Sequence, residues 1–176
     1  LSKVDGANGR LTYRGYRIGD LVEHGTYPAV ANLLWTGEWD PNAHLATAPV
    51  PDAVLTTLRA LPSSAKPMDA LRTAISAWGA TQGVTYPPTV DQARALTAFA
   101  PSALAAFARL RDGKDPVEPD PSLDLVAGFL YQLKGEKADA ATARALDAYF
   151  IVGAEHGFNA STFTARVVTS TNSDLA

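Results

Sequence analysis

The sequence predicts an all-α fold with one short β-hairpin at its N-terminus. Three observations carry that prediction. Alanine, the strongest helix former, is abundant. Apolar residues recur at helical spacing in segment after segment. Those segments follow one another through short connections marked by Gly, Pro and Asp, the pattern of a multihelical domain.

The hairpin comes first. Lys3-Val4-Asp5 and Leu11-Thr12-Tyr13 flank the turn-rich Gly6-Ala7-Asn8-Gly9. A short helix is expected from Ile18 to Glu23, with Asp20 as an acid in its first turn. From Tyr27 the pattern is helical: Val30, Leu33 and Leu34 share a stripe and Gly37 supplies a stop. Asp52 to Leu61 reads as the next helix, N-capped by Asp52 and closed by Pro62. Pro67 suits the first turn of another, where a missing N–H costs nothing. That helix carries Leu71, Ile75 and Trp78 and is expected to end at Gly79.

Thr89 to Arg111 reads as a long alanine-rich helix, with Pro101 a point of interruption. Charged, proline-rich Lys114 to Pro121 reads as a loop. Helices are expected at about Ser122–Lys134 and Asp139–Glu155, with Gly135 capping the first. The last helix starts after Asn159 and carries an apolar stripe of Ala160, Phe163 and Val167.

Composition narrows the chemistry. The chain of 176 residues is 47% apolar and 19% charged, with a net charge of −3. A balance on the acidic side argues against nucleic acid as a partner, because phosphate binding needs a basic face. Cysteine is absent, which excludes disulfides, thiolate metal sites, iron–sulfur clusters and a cysteine nucleophile. His24, His44 and His156 are far apart and without paired spacing, so no metal site is expected. No apolar run reaches the ~18 residues of a membrane span. The N-terminus lacks a signal peptide's basic start and apolar stretch. The sequence opens without methionine and stops without a closing turn, so it is expected to be a piece of a longer chain.

Chemistry concentrates at Ala154-Glu155-His156-Gly157-Phe158-Asn159-Ala160-Ser161-Thr162. His156 is read at the end of one helix, where a protonated ring is favoured by the helix dipole. Asn159 opens the next helix as a preferred N-cap. Each has an ordinary reading alone, as a surface histidine and a cap. Together they place an imidazole, an amide and the Ser161 and Thr162 hydroxyls at a positive helix end, which suits an anion or carboxylate. Glu155 either orients His156 or faces water. Elsewhere, Arg14 and Arg17 are read as surface ion-pairing groups, Arg72 and Arg166 as structural pairs, and Trp35, Trp39 and Trp78 as packed aromatics.

Glu155 to Thr171 resembles the citrate synthase family. The likeness continues in order through Val4-Asp5-Gly6, Leu11 to Ile18, Leu33 to Glu38, Lys66 to Ala74, Phe129 to Glu136 and Ala145 to Tyr149. Lys66 departs from the family, where histidine is common. The resemblance implies that residues 1–176 are the N-terminal part of a large helical domain in an acyltransferase. That enzyme condenses acetyl-CoA with oxaloacetate to citrate and CoA. It also implies a cytoplasmic homodimer with no metal or redox cofactor. His156 and Asn159 would contact oxaloacetate or citrate, and Ser161 would act with His156 in catalysis as a hydrogen-bond donor near the reacting centre. The family's two further histidines and its proton-abstracting aspartate have no counterpart in these residues. Two alternatives stand beside this: a 2-methylcitrate synthase using propionyl-CoA, and a non-catalytic helical dimerisation scaffold.

Overall fold

A computed structural model describes residues 1–176. The chain divides into two compact units, the first made of residues 1–44 and 139–170, the second of 45–138 and 171–176.

In the first unit, β1 (Ser2–Asp5) pairs antiparallel with β2 (Arg10–Tyr13), matching Val4 to Leu11 and Asp5 to Arg10. A single 3-10 turn joins them, closed by the Asp5 side chain accepting from the Asn8 amide. The predicted hairpin is present and gains a third strand, β3 (Tyr16–Arg17), through a turn in which Arg14 and Gly15 both take positive φ. Arg14 donates to the Leu34 carbonyl at 3.0 Å, so its partner is a helix-end carbonyl and not the surface acid expected of it.

Helix α1 spans Ile18–His24 with Asp20 in its first turn. Helix α2, Tyr27–Thr36, is capped by Thr26 and stopped by left-handed Gly37. Helix α7 (Ala140–Gly153, four helices of the other unit preceding it in the chain) is capped by Asp139 and packs against both. Its Arg144 donates to the Val22 and Gly25 carbonyls at the end of α1. Arg144 also holds Asp147 at 2.8 Å, and Asp147 accepts the first amide of α2, Tyr27 N–H, at 2.9 Å. One ion pair thus satisfies backbone groups at two helix ends. Tyr13, Leu21, Val30, Leu33 and Ile151 form the core.

The helix expected to reach Glu155 stops at Gly153. Its last carbonyls are taken from outside. The fully buried Tyr13 hydroxyl faces the Ile151 and Val152 carbonyls at 3.1 and 2.9 Å and accepts from Glu155 N–H at 3.2 Å. His156 therefore lies in a loop three residues past the helix and not at its terminus.

The second unit holds α3 (Asp52–Arg59), α4 (Pro67–Gln82), α5 (Val90–Arg111) and α6 (Leu125–Lys134). Asp52 is the first helical residue and not the cap, a position occupied by Pro51. Pro67 opens α4 as expected, but the helix passes Gly79 and stops at left-handed Gly83. Gly79 is a packing residue: a Cβ there would lie 2.1 Å from that of Ala176. Helix α5 begins with a Thr89–Gln92 capping box and runs unbroken through Pro101. Buried Ala98, Phe99, Ser102 and Ala103 lie on both sides of the proline, and their packing outweighs the lost backbone bond. Helix α6 starts at Leu125, later than expected. Residues 120–122 form a turn in which Asp120 binds the Ser122 hydroxyl and amide and Lys137. Those bonds, the Ser122 hydroxyl first, hold the Asp120 carboxyl down at about 2. Gly135 caps α6.

Trp78 stacks on Phe99 at 5.4 Å within a core that includes Val54, Leu58, Ala74 and Phe107. Ser102 donates to Gln132 at 3.0 Å inside this unit, and Gln132 donates to the Val117 carbonyl at 3.2 Å.

Two outcomes follow for Tyr13. Tyr13→Phe should cost about 1–3 kcal/mol in denaturant unfolding, because it removes the acceptor of the Glu155 amide and the donor that faces the Val152 carbonyl. Burial pushes the Tyr13 phenol above its ordinary value, against the opposing pull of the Glu155 amide. The folded state then keeps a proton that the unfolded chain releases above about pH 10, so stability should fall as pH rises beyond that point. Tyr27, also raised by burial, adds in the same direction. Thermal midpoints from pH 8 to 11 should show the fall, and Tyr13→Phe should flatten it.

Candidate active site

The segment from Glu155 to Thr162 is built from the backbone outward. Helix α8 (Ala160–Thr169) begins at Asn159, whose Oδ1 accepts the Thr162 N–H at 2.8 Å. This is the N-cap that the sequence predicts. It also fixes the amide: with Oδ1 committed to the backbone, Nδ2 is the atom facing His156 Nε2, at 3.2 Å. An amide NH₂ only donates, so the contact is a hydrogen bond in the tautomer that leaves Nε2 free to accept.

The loop before the helix is held on both sides of His156. Tyr13 binds the Glu155 amide. The Glu155 carboxylate turns away from the imidazole. It accepts the Gly157 N–H at 2.5 Å and the Ser2 hydroxyl of β1 at 3.1 Å. Gly157 takes φ +93, and its carbonyl accepts from Asn159 N–H at 2.9 Å. The question left open for Glu155 is answered by these partners: it holds backbone, not the ring. Neither Ser2 nor Tyr13 is legible as a site residue in the sequence, since 153 and 142 residues separate them from Glu155.

His156 and Ser161 are exposed and Asn159 is half-buried. Asn159 and His156 are brought together directly. Ser161 follows in the first turn of α8, beside amides that precede any intrahelical partner. A positive helix end, two polar side chains and a hydroxyl are thus presented to solvent, an arrangement that accepts a carboxylate. Phe158 packs edge-on against Phe163 at 5.7 Å. Arg166 lies 5.6 Å over the Phe158 ring, a cation–π contact where a helix–helix pair was expected. The expected stripe on α8 is not covered: Phe163 and Val167 are exposed, and the helix buries none of its residues.

The family model described as citrate synthase, C-terminal domain, matches residues 1–176. The chain belongs to the citrate synthase family. It is 41% identical to a citrate synthase from Haloferax volcanii, over 99% of this chain and 50% of that protein. It is 40% identical to a 2-methylcitrate synthase from Mycobacterium tuberculosis, over 99% of this chain and 47% of that one. A crystal structure of citrate synthase from Pyrobaculum aerophilum matches with a TM-score of 0.85 and 32% identity, covering 99% of this chain and 49% of that one. The corresponding structure from Thermotoga maritima gives 0.84 and 29%, over 99% of this chain and 48% of that one. The chain spans about half the length of the citrate synthase relatives it matches. The all-α class read from the sequence is that of these neighbours.

Substitutions at two positions test the loop. A Cβ on Gly157 would meet only the Ser2 hydroxyl, at 3.8 Å. Gly157→Ala should therefore cost roughly 1–2 kcal/mol through its backbone conformation and not through a clash. Asn159→Ala should cost about 1 kcal/mol and Asn159→Asp almost nothing, because aspartate caps as well. Urea unfolding of the three variants checks both.

Proposed function

We propose that His156, Asn159 and Ser161 form the oxaloacetate-binding corner of an enzyme that condenses acetyl-CoA with oxaloacetate, giving citrate and CoA. The observation that carries this reading is the His156–Asn159 pair at the positive end of α8, in a chain of the citrate synthase family. His156 and Asn159 bind the dicarboxylate, with His156 turning from Asn159 to the ligand. Ser161 donates its hydroxyl near the reacting carbon, where preorganised donors stabilise developing charge. The reaction needs no metal or redox cofactor. The working enzyme is a cytoplasmic homodimer whose proton-moving residues lie outside these 176. General acid–base catalysis is worth ~10²–10⁴-fold, so these residues alone should release no CoA at an enzyme's rate.

His156→Ala in the full-length protein should weaken oxaloacetate binding by about tenfold, roughly one hydrogen bond to a charged group. Asn159→Asp, which keeps the cap, should weaken it as well by setting a carboxylate against a dicarboxylate. Isothermal titration reads both. Unchanged affinity in His156→Ala would remove that residue from the site, and a full-length protein that dimerises without turnover would make the chain a scaffold.

The nearly equal identities to a citrate synthase and a 2-methylcitrate synthase support a second reading to the same degree, propionyl-CoA as the acyl donor. One methylene is worth ~10–200-fold in discrimination. Steady-state kinetics with both thioesters should show a kcat/KM preference in that range for one of them.

A further inference from the structure

We infer that Ser2 and Glu155 are positioning residues of the substrate site, so that the first β-strand sets the geometry of the loop bearing His156. The inference deepens the oxaloacetate reading and rests on it.

Glu155 precedes the candidate ligand-binding histidine, yet its carboxylate points elsewhere. A single oxygen, Oε1, accepts from Gly157 N–H at 2.5 Å and from Ser2 Oγ at 3.1 Å. The Glu155 amide is in turn held by buried Tyr13, on β2. The backbone is therefore pinned immediately before and immediately after His156, while the imidazole meets only Asn159. A charged acceptor on a backbone N–H is among the stronger hydrogen bonds a protein makes. Removing it leaves the half-buried Gly157 amide without a partner and frees a residue already at φ +93.

The electrostatic sign supports positioning over direct contact. A carboxylate cannot donate to an anionic substrate and repels it at short range. The Glu155 carboxylate is engaged by an amide and a hydroxyl, and neither bond involves the imidazole. What the site requires at position 155 is an acceptor oxygen. It does not require the charge.

The test is kinetic and uses the full-length protein. Glu155→Ala should raise the KM for oxaloacetate by about tenfold, the factor that 1.4 kcal/mol gives, with the KM for the acyl-CoA little changed. Glu155→Gln keeps an acceptor oxygen and should return the oxaloacetate KM to the wild-type value or below. Ser2→Ala, which removes one of the two bonds, should shift it in the same direction by less. An unchanged oxaloacetate KM in Glu155→Ala overturns the inference. So does a glutamine variant as impaired as the alanine one, or a joint rise of both KM values with a lowered melting temperature, which marks a merely structural role. A wild-type protein that does not turn over oxaloacetate overturns the underlying reading instead, and is recognised before any variant is made.

Discussion

The hydroxyl of Tyr13 is the interaction on which the candidate site depends. One buried phenol faces the last carbonyls of α7 and accepts the amide of Glu155. Helix ends leave such groups without intrahelical partners, and burying them unpaired costs about as much as a lost hydrogen bond. By meeting them from a neighbouring strand, Tyr13 ends the helix at Gly153 and starts the loop to His156. The Arg144–Asp147 pair works in the same way farther back, serving the end of α1 and the start of α2. The first unit is thus held by side chains that reach across the sequence to backbone groups, around a small apolar core.

The loop itself is economical. Asn159 caps α8 with its oxygen and meets His156 with its nitrogen, so the cap orients the amide toward the ring. Gly157 supplies the positive φ that lets the chain turn between them, and Glu155 locks that glycine's amide. Glu155, Gly157 and Asn159 are thereby tied to one another's backbone or to neighbouring turns, while His156 and Ser161 stand exposed at the start of α8.

In the second unit packing overrides local rules. Pro101 should break a helix, and Gly79 should end one. Neither does: Ala98, Phe99, Ser102 and Ala103 bury the face around the proline, and Gly79 is itself buried within α4. The signals were real but weaker than the buried surface they opposed. At Gly37, Gly83 and Gly135 glycine ended the helix through its left-handed conformation.

Sequence by itself determined the helical class, the opening hairpin, most element positions, the Asn159 cap and the family, because these rest on periodicity, capping chemistry and ordered motifs that act over a few residues. It could not show that Arg14 seeks a helix carbonyl, that Arg166 lies over Phe158, or that Glu155 turns from its neighbour to Ser2. Those contacts, and the true end of α7, were decided by tertiary structure. Arg14 and Glu155 meet partners 20 and 153 residues away, brought in by the chain's folding, and no local rule specifies which donor will meet which acceptor.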